Sequence, residues 1–472
     1  MLRSLFCLLA SGALFGCATV GPDFEPPGPP QTAKYAMAGD AAPGLTLDPH
    51  AAPARWWTAF GSAQIDALVD EAVSQNQTLA AADASLARAR ANASAVRGAA
   101  GVQVDGHARA ERERVNTASF GIEGFPSPTI SLYSIGASAS FDFDLFGGGR
   151  RRIESAEAQA AALAARGEAA YLTLSGEVVL RAIDVAALRE QIAASEQMIA
   201  DSRRNVEMTR RAVEDGGTPR AAVVTAQAQL AEDEARLPPL RSKLATSRHA
   251  LALLAGEAPG DWIAPDIDLA SIAVPAAVPL GMPSELVRRR PDILAAEARL
   301  QAATADIGVA TAALYPQLRL TPDFTLSALK PSDVFNYESG GWVIGPALSL
   351  PIFHSGQLRA EKKAAVAARD QALAEYRQTV LVAFVQVADL LQAAAQGQAL
   401  AEAQAHASQA ADENARLANL AYQNGAGSLL SVLDAQRQSQ RAKLAFIDAQ
   451  ASLRRALAAL FVASAADWRR PA

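Results

Sequence analysis

A mainly α-helical chain with a transmembrane β part, built from two copies of one strand-strand-long-helix unit, is the fold class this sequence predicts. Three observations carry the prediction. Leu79–Leu86 (Leu-Ala-Ala-Ala-Asp-Ala-Ser-Leu) recurs as Ile293–Leu300 (Ile-Leu-Ala-Ala-Glu-Ala-Arg-Leu), and the echo continues downstream. Phe146–Gly149 answers Phe353–Gly356, and Thr225–Gln227 answers Asp434–Gln436. The segments after each match alternate polar and apolar residues over long runs, which is the period of a strand with two unlike environments. Proline-free, alanine-rich stretches then follow, at 150–213 and from Gln357 to about Asn424. The repeat is too long for a solenoid.

The N-terminus sets the compartment. Arg3 supplies a positive region, Leu5–Leu14 an apolar stretch of secretory length, and Leu14-Phe15-Gly16-Cys17 follows. This is a lipobox: residues 1–16 form a signal peptide, and Cys17 becomes the acylated N-terminus. A plain signal peptide that happens to contain a cysteine is the alternative. Ala18, where an Asp would favour the inner membrane, points to the outer membrane. Of the 2 cysteines, Cys7 lies in the removed segment, so the mature chain has no thiol for a disulfide or metal site. Residues 17–54 read as a leash punctuated by Pro22, Pro26, Pro27, Pro29, Pro30, Pro43, Pro49 and Pro53, extended and running down the folded body.

No stretch beyond the signal holds the roughly 20 uninterrupted apolar residues of a spanning helix, so any span must be made of strands. The net charge of -6 is spread without a basic block, which makes nucleic acid an unfit partner. The first repeat occupies 55–262, with a β-hairpin at about 101–146 and a helical hairpin at 150–255. A linker covers 263–283. The second repeat occupies 284–463, with a β-hairpin at about 317–353 and a helical hairpin at 357–463; a tail, 464–472, has no assigned role.

In the first hairpin Gln103, Asp105, His107, Arg109 and Glu111 fall on one face, with apolar or small residues between them. Ser131–Leu145 alternates as strictly: Tyr133, Ile135, Ala137, Ala139, Phe141 and Phe143 against Ser134, Ser138, Ser140, Asp142 and Asp144. The second hairpin repeats this with Leu318, Leu320, Phe324 and Leu326, while its return strand, Trp342–Ile352, is blander. A soluble half-buried sheet also alternates. In lipid, two hairpins cannot close a barrel, for about eight strands are the minimum and open edges are not tolerated. Several chains would have to share one barrel, with loops at about Val115–Pro128 and Lys330–Gly340 as its outer tips.

A helix over 150–213 would be roughly 95 Å long. In its counterpart Val380, Phe384, Val387, Leu391, Ala394, Ala401 and Ala405 follow the three-and-four spacing of a helical seam, with Gln398 the polar exception. Both long helices end at glycine, in Gly216-Gly217-Thr218-Pro219 and Gly425-Ala426-Gly427-Ser428, where Thr218 and Ser428 are placed to cap the next helix. An ordinary α-helical bundle would explain the heptads, though not the strands or the lipobox.

Cys17-Ala-Thr-Val-Gly-Pro-Asp-Phe24, Trp56-Trp57, Arg289-Arg290-Pro291-Asp292-Ile293 with Ala296-Glu297 and Ile307-Gly308, Leu350-Pro351-Ile352-Phe353, and Leu433-Asp434-Ala435-Gln436-Arg437 come in this order. With them the chain resembles the TolC-type outer-membrane efflux factors, and more narrowly the lipoprotein branch, OprM- or NodT-like, of resistance-nodulation-division pumps. The resemblance covers essentially the whole mature chain. It implies a homotrimer closing a 12-stranded barrel, continued by an α-helical barrel with a mixed equatorial belt drawn from Trp56–Asp70, Asp261–Pro283 and the C-terminal helix. It also implies a passive exit duct for drugs or other small toxic compounds, joined through a periplasmic adaptor (membrane fusion) protein to a proton-driven inner-membrane pump. The exit duct of a type I protein-secretion system and a lipid-anchored helical scaffold without a pore are the alternatives.

The resemblance places a periplasmic aperture at Leu430 and Asp434, one turn apart on one helical face. Threefold symmetry would bring three carboxylates together, at a cost relieved by protonation, by cations or by pairing with Arg437. Copy one has Thr225 at the matching position. A solvated Asp is the plainer reading of Asp434. Arg288-Arg289-Arg290 also reads two ways, as an anion site or as the start of a helix with ion pairing to Asp292 and Glu297. There is no His-Glu-x-x-His, Gly-x-Ser-x-Gly or P-loop, and His50, His107, His249, His354 and His406 are scattered. No catalysis, cofactor or metal is expected beyond covalent lipid on Cys17.

Overall fold

Alternation along Gln103–Arg114 (β1) and Thr129–Asp142 (β2) produces a long antiparallel pair, with Gln103 facing Ser140 and Arg114 facing Thr129. These strands belong to a computed structural model that describes residues 19–28, 34, 35, 37, 48, 55–116, 121, 128–278, 280 and 283–464. The signal peptide, Cys17 and the end of the tail lie outside the described residues.

The second hairpin departs from the two uninterrupted strands expected. It consists of β3 (Gln317–Leu320), β4 (Asp323–Ala328), β5 (Gly340–Val343) and β6 (Pro346–Ser349). The register runs on across both gaps: Phe141 faces Leu320 and Ser138 faces Asp323, so nothing is inserted between β3 and β4. The interruption falls at Pro322, which has no N–H to give to the ladder. Its carbonyl still accepts from the Ala139 N–H at 2.8 Å. Physically, β3–β4 and β5–β6 are therefore two long strands, and the sheet is an antiparallel meander in which β2 joins the hairpins.

The pairing sorts side chains by face. Ala110, Tyr133 and Ala328 share one row, Ala108, Ile135 and Leu326 the next, and Ala137, Phe324 and Trp342 a third, all on the apolar face. Trp342 is 72% exposed in the single chain. The opposite face carries Ser134, Ser138, Asp105, Arg109 and Asp323, with Arg319 giving two hydrogen bonds to Asp142 at 2.7 and 3.0 Å. The outer edges of β1 and of β5–β6 pair with no described residue.

The helices are α1 (Ala63–Gln75), α2 (Gln77–Ala99), α3 (Gly148–Glu214), α4 (Arg220–Ala255), α5 (Pro283–Arg289), α6 (Pro291–Ala312), α7 (Gln357–Gln423) and α8 (Leu429–Ser464). The chain forms two compact units, and these are not the two repeats. One comprises residues up to Pro27, Ser85–Leu163 and Ala295–Tyr376; the other comprises Gly28–Ala84, Ala164–Leu294 and Arg377–Ala472. Each draws on both copies.

The sheet lies in the first unit, together with the start of the leash. Asp144, at φ 44, turns the chain from β2 into α3, and its carboxylate accepts the N–H groups of Gly149 (2.7 Å) and Arg150 (3.0 Å) at the new helix terminus. Phe146 stacks on Tyr315 at 4.6 Å. Against this corner the leash is held down: Val20 N–H donates to the Phe146 carbonyl at 3.1 Å, and Arg151, its side chain 5% exposed, pairs with Asp23 at 2.5 Å and Glu154 at 2.7 Å. Gly21 has φ +93, and a Cβ there would lie 2.5 Å from the Gly308 Cα. Only glycine allows that approach.

In the second unit Trp56, Trp57, Phe60 and Phe461 form an aromatic cluster, and Ile65, Leu68, Val179, Ile183, Ile267 and Leu269 of the same unit are buried. Trp56 gives its indole N–H to the Ser175 hydroxyl at 3.2 Å. Ala273 N–H bonds the Phe60 carbonyl at 2.8 Å, and buried Arg454 donates to the Ile272 carbonyl at 2.8 Å. The three segments expected to form a belt thus share one core. Two leash residues also dock here: the Tyr35 ring meets Phe384 edge-on at 5.9 Å, and the Asp48 N–H bonds the Val278 carbonyl at 2.9 Å. Burial, with Glu285 nearby, pushes the Tyr35 phenol pKa up.

One expectation needs correction: α7 does contain an 18-residue window apolar enough by composition to cross a membrane. Of its seam residues Val380, Val387, Leu391 and Ala394 are buried, and Phe384, Ala401 and Ala405 half-buried. Of the two readings of Arg288–Arg290, Arg290 fits the helix start with ion pairing, because it is spent within the fold. It donates to Asp292 at 2.6 and 3.0 Å, to the Gln386 side chain at 2.9 Å and to the Ala463 carbonyl at 3.1 Å.

Candidate functional site

The helix-hairpin tips are built alike but capped differently. α3 ends at Gly216 (φ +73) and α7 at Gly425 (φ +73), with Gly217 N–H reaching the Ala212 carbonyl and Ala426 N–H the Ala421 carbonyl. These are the reverse-turn bonds that close a helix on glycine. In copy two the Ser428 hydroxyl accepts the Ser431 N–H at 3.1 Å and caps α8, as its position predicted. In copy one Thr218 does not cap. Pro219 occupies the cap position with no side-chain bond, and its fixed φ of -65 starts α4 instead.

Leu430 is 62% exposed, and Asp434, one turn further along α8, is exposed too. Their spacing puts both on one helical stripe. The Asp434 carboxylate lies 3.4 Å from the Arg437 guanidinium, a loose ion pair open to water and worth little in stability. Arg437 is held more firmly by packing, with its Nε buried and without a hydrogen-bond partner. Leu430, Arg437 and Thr225 line one small cleft between α3, α4 and α8, while the exposed Asp434 is not among its lining residues. Thr225 turns its hydroxyl back to the Ala221 carbonyl at 3.1 Å and offers no charge.

In the walls of the same cleft, two polar contacts escaped sequence reasoning. Asn205 on α3 donates to Gln436 on α8 at 2.7 Å. Asp233 on α4 is 1% exposed, and its carboxylate accepts from Ser202 at 2.6 Å and Gln229 at 2.8 Å. An acid in an alanine-rich helix carries no local mark of burial. Pro238 and Pro239 inside α4 went unread as well, and they have no counterpart in α8. Among the described residues no cluster of His, Cys, Asp and Glu has the makings of a metal site. Cys17 lies outside the described residues; Val20 and Asp23, a few positions on, are docked against Phe146 and Arg151.

The family model described as "Outer membrane efflux protein" matches residues 68–257 and again 282–466, one stretch in each repeat. The chain belongs to the outer membrane efflux protein family. Members of this family are outer-membrane channels of efflux systems, and this chain functions in efflux at the outer membrane. Among curated relatives, the pyoverdine export outer membrane protein OpmQ of Pseudomonas putida is 29% identical, covering 99% of this chain and 98% of the relative. Outer membrane protein OprJ of Pseudomonas aeruginosa is also 29% identical, over 96% of this chain and 94% of the relative. The solved structure of the outer-membrane channel OprN superposes with a TM-score of 0.87 at 30% identity, covering 95% of this chain and 99% of that one.

Proposed function

We propose that three copies of the chain close a 12-stranded barrel in the outer membrane and continue it as an α-helical tunnel, forming the passive exit duct of a tripartite efflux system. The observation that carries this reading is the meander itself: an apolar face that leaves Val104, Ile135, Phe324 and Trp342 exposed, a polar face opposite, and two edges that pair with no described residue. Lipid excludes unpaired edges, and a sheet this small removes them only by joining copies of itself. The polar face then lines a hydrated lumen. An inner-membrane pump supplies the energy and a periplasmic adaptor connects the two. The duct has no need to recognise its cargo. Full-length protein in planar bilayers should conduct and run with the mass of a trimer; a silent, monomeric protein would refute the duct.

In this assembly Leu430 and Asp434 converge at the periplasmic end and narrow the tunnel. Like charges brought together there are held by Arg437 and by cations, and weakening them opens the aperture. Asp434→Ala is expected to raise single-channel conductance severalfold with the trimer intact. Conductance equal to the wild type would remove Asp434 from the aperture.

Acylation of Cys17 anchors the chain from outside the barrel. The docked leash supports this, since two peptide units cannot carry Cys17 more than roughly 7 Å from Thr19, which rests on Gly147 at the strand-to-helix corner. Cys17→Ser should abolish lipid attachment, read by mass, while trimers still form. Loss of the trimer would show that the anchor, and not only the barrel, drives assembly.

A further inference from the structure

Charges at the far end of β1 are sorted by face. Glu111 and Glu113 continue the polar face of Gln103, Asp105, His107 and Arg109, and Glu111 pairs with Arg109 at 2.9 Å. Arg112 and Arg114 alternate with them and so continue the face of Val104, Ala108 and Ala110. Both arginines are exposed, and neither forms an ion pair with a described residue. On β2 they stand opposite Ser131 and Thr129, just beyond the row of Ala110, Tyr133 and Ala328.

The neighbouring strand supplies a third cation just past its end. Lys330 lies two residues beyond Ala328, the partner of Tyr133, where the chain bends out of β4 with a locally extended backbone (φ -125, ψ 142). Its backbone carbonyl accepts the Asp333 N–H at 3.1 Å, while the Asp333 carboxylate takes the Ser332 hydroxyl at 2.9 Å. The exposed ammonium has no described partner. Arg112, Arg114 and Lys330 thus form a cationic border to an otherwise apolar face, at the end of the sheet away from α2 and α3.

Such side chains are strongly disfavoured inside hydrocarbon and tolerated at its edge. Tyr133, one row inward, is the residue type that sits at a membrane interface. The unmet need of the border is anionic, and a guanidinium fork matches a phosphate in two parallel hydrogen bonds. We infer that Arg112, Arg114 and Lys330 form a binding site for the phosphate groups of anionic lipid in the outward leaflet. The inference rests on the reading that the apolar face meets lipid. The site fixes the height of the barrel in the membrane, because the cations stop at the headgroups while Leu326 and Phe324 remain in the acyl layer. Glu111 and Glu113, turned to the lumen, do not compete for the same lipid.

The test uses full-length protein reconstituted in phosphatidylcholine vesicles containing bis-phosphorylated lipid A, with retained lipid phosphate per chain measured after gentle extraction. Each cation removed should weaken retention about fivefold, and the triple variant R112Q/R114Q/K330Q on the order of a hundredfold. E111Q/E113Q should retain lipid like the wild type. Equal retention by the triple variant would overturn the site, as would an equal loss in E111Q/E113Q or displacement of the lipid by millimolar inorganic phosphate. Conductance from the same vesicles separates the two levels of the reading. A conducting triple variant with undiminished lipid refutes the headgroup site alone, whereas silence from every form refutes the membrane-facing sheet and the site with it.

Discussion

Arg290→Ala is expected to destabilise the second compact unit by about 3 kcal/mol, seen as a lower melting temperature of the full-length protein. The side chain is only 10% exposed, and its guanidinium joins three distant pieces of chain: Asp292 at the start of α6, Gln386 on α7 and the Ala463 carbonyl near the end of α8. Truncation leaves the Gln386 and Ala463 acceptors without their donor, and an unmet buried polar group costs more than the bond was worth. The Ala463 carbonyl belongs to the last turn of α8, where the helix dipole favours a cation. Arg290→Lys keeps the charge but cannot span acceptors in three directions, so it should fall between wild type and alanine. A melting temperature for Arg290→Ala equal to the wild type would show that the arginine is a bystander.

Trp56→Ala is expected to cost about 3–5 kcal/mol, the range for deleting a large buried aromatic. Trp56 has 0% of its surface exposed and touches Trp57, Phe60 and Phe461, whose ring centroids lie 6.0, 6.3 and 5.9 Å away. The cavity would open where α8, the 3-10 turn Trp56–Phe60 and α3 meet, and these cannot all close over it. Trp56→Phe should lose far less, about 1 kcal/mol, mainly the hydrogen bond to Ser175. Equal losses for the two variants, measured by denaturant unfolding, would mean that the hydrogen bond and not the packing holds the cluster.

Legibility in the sequence followed the range of the interaction. Strand faces were readable because alternation is local: Tyr133, Ile135 and Ala137 fell on the side predicted, and the loop limits Val115–Pro128 coincide with the end of β1 and the start of β2. The break at Pro322 was equally local, and the proline standing within the run was its signal. Ser428 and Thr218 looked equivalent because hydroxyls cap helices, yet Pro219 took the cap position in copy one. Arg290 was half legible. Its partner Asp292 is two residues away, whereas Gln386 and Ala463 are brought to it only by the fold. The repeat matched Thr225 with Asp434 by sequence alone; Thr225 lines the cleft at α4 and α8, and Asp434 stands exposed on α8 outside its lining. No pattern announced Asp233, whose burial depends on the closeness of α3.

The unpaired edges of the meander bear on how the protein reaches its place in the cell. A chain whose β1 and β5–β6 edges pair with no described residue carries rows of unpaired N–H and C=O groups beside an apolar face. Before insertion that combination is an aggregation hazard, since any other exposed strand can pair with it. In the proposed duct, insertion and the pairing of these edges between copies would therefore have to be completed together. On that reading, a variant that folds its helices but slows edge pairing would aggregate before it forms a pore.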